Sequence, residues 1–159
     1  MPAPELIAVM PVFNEEKNIS LVVHELLDAL AREQISHRLL AINDGSTDQT
    51  FALLTSLKDE FPGILEVIDK PNSGHGRSCR RGYEEALAEN ASWILQIDSD
   101  GQCDPTYFPV FWRQRGEADC VFGVRTVRDD GQARKLISTA CRLLTALTTG
   151  RDLKDANVP

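Results

Sequence analysis

The sequence predicts an α/β fold in which a mostly parallel sheet is flanked by helices. Short apolar runs of strand length alternate along the chain with longer segments whose apolar residues repeat at helical spacing. A cluster of polar residues follows each apolar run. The chain has 159 residues, of which 42% are hydrophobic, so we expect one domain with a core over residues 1–159.

Five apolar runs have the length of a strand. The first is followed by Pro11, which we expect to end it, and the fourth stops abruptly at two carboxylates. The predicted strands are Leu6–Met10, Leu39–Ile42, Ile64–Ile68, Trp93–Ile97 and Cys120–Val124.

Between these runs lie segments with the apolar spacing of amphipathic helices. Asn18 or Ser20 is a candidate N-cap for the first helix and Ser46 or Thr47 for the second, while Pro105 suits the first turn of the fourth. The predicted helices end near residues 33, 60, 90 and 115, and a last one covers 134–148. The third is predicted to present Cys79, Tyr83, Ala86 and Leu87 on one face.

Composition and charge narrow the function classes. The net charge of −7 argues against non-specific nucleic-acid binding, although residues 125–159 carry seven basic and four acidic side chains. That basic segment suits either phosphates at an anionic membrane surface or a solvated helix face. The N-terminus lacks the pattern of a signal peptide, and the cysteines form no CxxC pair. We therefore expect a cytoplasmic protein, peripheral at the membrane face if it binds there.

The most informative feature is the pair Asp98 and Asp100 at the end of the fourth predicted strand. Two buried carboxylates are costly unless they are paired, and Mg²⁺ or Mn²⁺ would offset that cost because hard cations take oxygen ligands. A metal with so few protein ligands usually shares its shell with phosphates. The sequence therefore predicts a metal–diphosphate site here, and Gln102 could bind the metal through its carbonyl or through water. The alternative is that the two carboxylates cap the next helix.

The other polar clusters also follow predicted strands. Because the carboxyl ends of parallel strands meet at one edge of a sheet, we expect them to converge there. Asp44 and Glu15 could accept hydrogen bonds from a nucleobase or ribose, Arg77 could reach phosphate, and Arg125 suits a diphosphate. The alternatives are a helix cap for Asp44 and a salt bridge for Arg125.

Five motifs in order carry a resemblance to a known family. They are MPVFNEEKNI, INDGSTDQT, NSGHGRSCRRGYEEA, LQIDSDGQCDP and ADCVFGVR. Together they resemble family 2 glycosyltransferases with the GT-A fold, in the branch of dolichol-phosphate mannose synthase and bacterial relatives that glycosylate lipid phosphates. The resemblance implies a nucleotide-sugar donor, Mg²⁺ or Mn²⁺, and inversion at the anomeric carbon, and it makes a lipid phosphate one candidate acceptor. Because guanine and uracil both present N–H donors that a carboxylate such as Asp44 can accept, we expect a GDP- or UDP-sugar.

The resemblance also implies roles for single residues. The positions that match the family pattern are Pro11, Phe13 and Glu15 in the first nucleotide loop, Ile42 and Asp44 at the base, Asp98, Ser99 and Asp100 in the DxD motif, Gln102 beside the metal, and Arg125 near the diphosphate. Asn43 and Ser99 depart from the commonest residues of the family. The chain stops where such proteins continue, so we expect the C-terminal acceptor part to be missing.

Two other functions fit parts of the pattern. A haloacid-dehalogenase-like phosphatase would use Asp98 as nucleophile and Asp100 as acid, but its later lysine and acidic pair are not evident. A nucleotide-binding module without turnover would need only the donor site.

Overall fold

A computed structural model describes residues 3–123 of the chain. The chain divides into two compact units, residues 1–109 and 110–159. The expectation of one domain over residues 1–159 stays a prediction. The predicted last helix and Arg125 lie outside the described residues.

The described part of the chain contains four strands and four α-helices. The strands are β1 (Leu6–Val12), β2 (His37–Asn43), β3 (Leu65–Asp69) and β4 (Trp93–Gln96). The helices are α1 (Ile19–Arg32), α2 (Thr50–Glu60), α3 (His75–Ala88) and α4 (Phe108–Gln114), and a 3₁₀ turn at Pro105–Tyr107 leads into α4. No helix within residues 3–123 is both long and apolar enough to cross a membrane.

All four strands are parallel, and their order in the sheet is β3-β2-β1-β4. The chain therefore steps outward from β1 through β2 to β3, and then returns to place β4 on the other side of β1. Every residue of β1 is buried, as expected for a central parallel strand. This arrangement confirms the predicted α/β fold with a parallel sheet and helices.

Helix α3 packs closely against the sheet because it offers small residues. Ser78, Gly82 and Ala86 are four positions apart and all buried, and Ala86 joins Ile7 and Val9 of β1 in one core cluster. A Cβ on Gly82 would lie 2.2 Å from Cγ1 of Val9, so any larger residue there would force the helix or Val9 to shift.

Helix α1 is joined to the end of α2 by His24. Its Nδ1 lies 2.7 Å from the Ser20 carbonyl, its Nε2 lies 2.9 Å from Oε1 of Glu60, and its ring meets that of Phe61 edge-on. The backbone contact with Ser20, followed by the contact with Glu60, raises the pKa of His24 above its usual 6.5.

Pro11 does not end the first strand as predicted, because β1 continues to Val12. The ladder with β4 ends at the pair Val9 and Gln96, and the last bond on that side runs from the Ile97 N–H to the Val9 carbonyl. The backbone nitrogen of Pro11 faces the same side two residues later, beyond the last pair with β4. No N–H is needed there to continue the ladder, so a proline is tolerated. Its position beyond the end of the ladder is what allows a proline in a central strand.

Three other local predictions were wrong. Helix α2 begins at Thr50 rather than after Ser46 or Thr47, because the loop before it bonds to the loop after β1. Leu87, predicted to share a face of α3 with Cys79, Tyr83 and Ala86, is 66% exposed, whereas Cys79 and Ala86 are buried. Residues 120–123 form no strand, and Phe122 is 67% exposed, so this run lacks the burial that stabilises an apolar strand.

Candidate active site

A cavity of about 430 Å³ opens at the carboxyl end of the sheet. The residues that line it are Pro11, Val12, Phe13, Glu15, Asp44, Asn72, Gly74, His75, Ser78, Asp98, Ser99 and Asp100. They come from the segments that follow β1, β2, β3 and β4 and from the ends of these strands. Strands β2 and β4 lie on opposite sides of β1. The cavity is therefore at a topological switch point, which is where parallel sheets bind ligands.

The two carboxylates after β4 both face this cavity. Oδ1 of Asp98 lies 3.9 Å from Nε2 of His75, and the Asp98 side chain is 20% exposed. Oδ1 of Asp100 accepts the N–H of Gln102 at 2.9 Å, which closes a tight turn through Gly101 at φ +74°. The two aspartates therefore lie just beyond the carboxyl end of β4. Neither caps the following 3₁₀ turn, whose N-cap is Asp104.

The oxygen donors of this pair suit a hard cation that is shared with a ligand's phosphates. Within residues 3–123, no group of three or more His, Cys, Asp or Glu side chains is placed to hold a metal ion by itself. Asp98 and Asp100 offer carboxylate oxygens in the same cavity, and a site of this kind uses few protein ligands. The donor set thus fits Mg²⁺ or Mn²⁺ in the presence of a diphosphate, while Gln102 does not line the cavity.

Ser99 joins the two strands that flank the switch point. Its hydroxyl donates to the Pro11 carbonyl at 3.0 Å, and the residue is 6% exposed. This bond ties the turn after β4 to the end of β1. Ser99 lines the cavity as predicted, but its hydroxyl is already used within the protein.

Asp44 binds the loop that follows β3 instead of capping its own turn. Its Oδ1 accepts hydrogen bonds from the Lys70 ammonium and from the Ser73 N–H at 2.8 Å, and its Oδ2 accepts the Gly74 N–H at 2.9 Å. Burial raises the pKa of Asp44, but the Lys70 contact and the two N–H groups outweigh it, so the pKa lies below its usual value. Asp44 is therefore a buried anion, 3% exposed, that fixes one wall of the cavity.

The loop after β1 is locked to the loop before α2. Asn14, at φ 55°, donates its N–H to the Ser46 hydroxyl at 3.0 Å and accepts the Thr47 N–H at 2.8 Å. The Glu15 N–H donates to Oγ1 of Thr50 at 2.8 Å. These bonds hold the Glu15 backbone at the cavity wall, because Thr50 is fully buried.

The start of α3 contributes three cavity residues that were not among the predicted site residues. Gly74, His75 and Ser78 line the cavity, and His75 is the first residue of α3. Nε2 of His75 lies 3.4 Å from Sγ of Cys79, and burial followed by the charge of Asp98 raises the pKa of that thiol. The sequence did contain a signal for these residues, since a strand followed by a glycine and the start of a helix is typical of an anion-binding segment.

Several predicted site residues lie elsewhere. Ile42 is fully buried in the core cluster with Val9, and it does not line the cavity. Arg77 is exposed and outside the cavity lining, as is Gln102. Arg125 lies outside the described residues. The structure thus brings together Pro11, Phe13, Glu15, Asp44, Asp98, Ser99 and Asp100 from the predicted set.

Comparison with known proteins identifies relatives over nearly the whole chain. The family model described as glycosyl transferase family 2 matches residues 7–156. The undecaprenyl-phosphate 4-deoxy-4-formamido-L-arabinose transferase of Pectobacterium carotovorum subsp. carotovorum (strain PC1) is 27% identical over 149 residues, which are 92% of this chain and 45% of that protein. The chain therefore spans about half the length of such curated relatives.

Solved structures share the fold. The S. aureus TarS 1-349 structure in complex with UDP has a TM-score of 0.58 and 21% identity, with 80% of this chain and 37% of that chain covered. The glucosyl-3-phosphoglycerate synthase from Mycobacterium tuberculosis, in complex with UDP, has a TM-score of 0.57 and 21% identity, with 92% and 51% covered. The predicted GT-A fold is confirmed by this likeness.

Proposed function

The chain belongs to glycosyl transferase family 2, and on that premise we propose that it transfers a sugar from a nucleotide-sugar donor to an acceptor with inversion at the anomeric carbon. The observation that carries the proposal is the shared cavity of Glu15, Asp44, Asp98 and Asp100, contributed by three different strand ends at the switch point of the sheet. We propose that the nucleotide base lies between Glu15 and Asp44 and that the diphosphate lies beside Asp98 and Asp100.

The donor's diphosphate would be held beside Asp98 and Asp100 with a divalent cation. These two carboxylates would hold Mg²⁺ or Mn²⁺, and Gln102 stays a predicted third ligand. When bound, the cation supplies Lewis-acid stabilisation of the charge that develops on the leaving diphosphate. Arg77 and Arg125 remain predicted contacts of the phosphates.

The chain's own residues orient the donor. Asp44 holds the wall formed by Ser73 and Gly74, and Thr50 holds the Glu15 backbone, so the base side of the cavity is rigid before the donor arrives. Ser99 fixes the turn that carries Asp98 and Asp100 against β1. A preformed site of this kind lowers the entropy cost of placing the anomeric carbon opposite its acceptor.

The acceptor that we propose is a polyprenyl phosphate at the cytoplasmic face of the membrane, because a curated relative is named as an undecaprenyl-phosphate sugar transferase. A phosphate acceptor is already anionic at neutral pH, so its oxygen can attack the anomeric carbon without a strong general base. The new C1–O bond forms on the face opposite to the leaving diphosphate, and the bond from C1 to that diphosphate breaks.

Calorimetric titration tests the donor site directly. We expect UDP and UDP-sugars to bind the full chain in Mn²⁺ and to bind more weakly in a chelator. Asp98→Asn and Asp100→Asn should each lower this affinity about tenfold or more, because a charged oxygen is lost from the diphosphate side. Asp59→Asn is the matched control, since Asp59 is exposed on α2 and does not line the cavity. Failure of every UDP- and GDP-compound to bind would refute the proposal.

Incubation with a UDP-sugar and undecaprenyl phosphate in vesicles tests transfer. Product whose anomeric configuration is opposite to that of the donor supports inversion, and retained configuration contradicts it. Donor binding without transfer would favour the alternative of a nucleotide-binding module. The phosphatase alternative is disfavoured by the family match over residues 7–156, and phosphate release from a simple phosphomonoester that is lost in Asp98→Asn would restore it.

A further inference from the structure

The two oxygens of the Asp44 carboxylate accept different numbers of hydrogen bonds. Oδ1 accepts two hydrogen bonds, from the Lys70 ammonium and from the Ser73 N–H, whereas Oδ2 accepts one, from the Gly74 N–H. An ionised carboxylate has about four lone-pair sites, two on each oxygen. Within the described residues, Oδ1 is therefore full and Oδ2 keeps one site.

Lys70 is held on Oδ1 by more than its charge. Its Nζ also contacts the Ser73 hydroxyl at 2.6 Å and the Pro71 carbonyl at 3.4 Å, and its side chain is 17% exposed. All three ammonium hydrogens have acceptors, so the lysine has little reason to swing away when a ligand enters. The loop that carries Lys70 also lies in close backbone contact with Gly45, because a Cβ on Gly45 would be 2.7 Å from the Asn72 backbone nitrogen.

We infer that Lys70 is a specificity-determining residue, which restricts Asp44 to a nucleobase with one imino N–H between two carbonyls, as in uracil. The inference deepens the proposed function and rests on it. Uracil brings a single donor to the remaining site on Oδ2. Asn72, which lines the same cavity, carries amide hydrogens that suit a neighbouring carbonyl of the base.

Other bases fit this carboxylate less well. Guanine presents two adjacent donors, its N1–H and its 2-amino group, and the second would face an oxygen whose sites Lys70 and Ser73 already fill. Cytosine presents an acceptor where uracil presents its imino hydrogen, so it opposes a carboxylate. A polar group left without a partner in such a site lowers affinity on the order of tenfold to a hundredfold.

The test compares UDP, CDP, GDP and IDP on the full chain in Mn²⁺ by calorimetry. Hypoxanthine keeps the N1–H of guanine and lacks its 2-amino group. We expect UDP to bind at least about tenfold more tightly than CDP or GDP, and IDP to bind more tightly than GDP. The inference would be overturned if GDP bound as tightly as UDP. It would also be overturned if IDP bound no more tightly than GDP, which includes the case in which neither purine nucleotide binds.

A substitution then isolates the lysine. Lys70→Met should reduce the preference for UDP over GDP about tenfold, because it frees one site on Oδ1, while Lys70→Arg should keep the preference. Lys58→Met is the matched control, since Lys58 pairs with Glu66 at 2.7 Å away from the cavity. An unchanged preference in folded Lys70→Met would overturn the role of Lys70. If Lys70→Met does not fold, the comparison of IDP with GDP on the unaltered protein decides.

These outcomes separate the inference from the proposed function. Binding that favours GDP would leave a nucleotide-sugar site in place and refute only the role of Lys70. Absence of binding by all four nucleotides would refute the proposed function, and the inference would fall with it.

Discussion

Replacement of Gly82 by alanine tests the packing that places helix α3 over the sheet. Gly82 is buried against β1, and an added Cβ would lie 2.2 Å from Cγ1, 3.1 Å from Cγ2 and 3.2 Å from Cβ of Val9. Ordinary contact begins at 3.4 Å. Val9 is fully buried in the central strand, so its side chain cannot relieve the overlap by rotating into solvent.

The expected loss of stability follows from two opposing effects. Overpacking of a well-packed core costs about 1–3 kcal/mol, and the size of this overlap places Gly82→Ala at the upper end. Alanine gains about 1 kcal/mol over glycine within a helix. We therefore expect a net destabilisation of about 2 kcal/mol, which shifts the urea midpoint by about 1 M for a protein of this size.

Urea unfolding followed by circular dichroism measures this shift. Gly76→Ala is the matched control, because Gly76 lies in the same helix with nothing within 4 Å of an added Cβ. We expect this control to be neutral or to gain up to about 0.5 kcal/mol. In a Val9→Ala background, Gly82→Ala should cost much less, because the opposing methyl groups are gone.

The reasoning fails if Gly82→Ala is as stable as the unaltered protein, or if Val9→Ala does not relieve its cost. The same substitution should also weaken UDP binding, because displacement of α3 moves Gly74, His75 and Ser78 at the cavity. Lost stability with unchanged UDP affinity would show that the helix start keeps its place when the helix body moves.

Three further substitutions test contacts around the site and between helices. Thr50→Val should cost about 1–3 kcal/mol in urea unfolding and weaken UDP binding, because the Glu15 N–H loses its acceptor at 2.8 Å. Asp44→Asn should cost about 3–5 kcal/mol at neutral pH, because Lys70 is left without its buried partner. Since the folded pKa of Asp44 is lowered, its contribution is present above 3.8 and is lost as pH falls through the folded pKa, so the gap to Asp44→Asn should close in acid. The folded pKa of His24 is raised, so its contribution is present below 6.5 and is lost as pH rises through the folded pKa; His24→Gln should therefore be destabilising in mild acid and nearly neutral at alkaline pH.

Matched controls separate these effects from general damage. Thr55→Val removes an exposed hydroxyl that donates to the Phe51 carbonyl, and Asp59→Asn removes an exposed charge, so both should lie within about 0.5 kcal/mol of the unaltered protein. Glu60→Gln should flatten part of the pH dependence that His24 produces. A gap between Asp44→Asn and the unaltered protein that is the same at acid and neutral pH would contradict the assigned ion pair.

The alternation of short apolar runs with helical spacing was enough to predict β1 to β4 and α1 to α3, because each pattern depends on residues close together in the chain. The placement of Glu15, Asp44, Asp98 and Asp100 at strand ends followed in the same way. Parallel strands present their carboxyl ends at one edge, so strand type alone predicted that these side chains would share a cavity. The five ordered motifs also gave the family, which the match over residues 7–156 confirms.

The partners of these residues were decided only by the tertiary structure. The sequence allowed Asp44 to cap its own turn or to contact a base, whereas the fold brings Lys70 and Ser73 to its Oδ1 from the segment that follows the neighbouring strand β3. Pro11 sits within a central strand only because the β4 ladder ends before it, and Ile42 is buried because its side chain points to the face that α3 covers. Strand order, ladder length and the face of each side chain depend on register between segments distant in sequence, which no local pattern specifies.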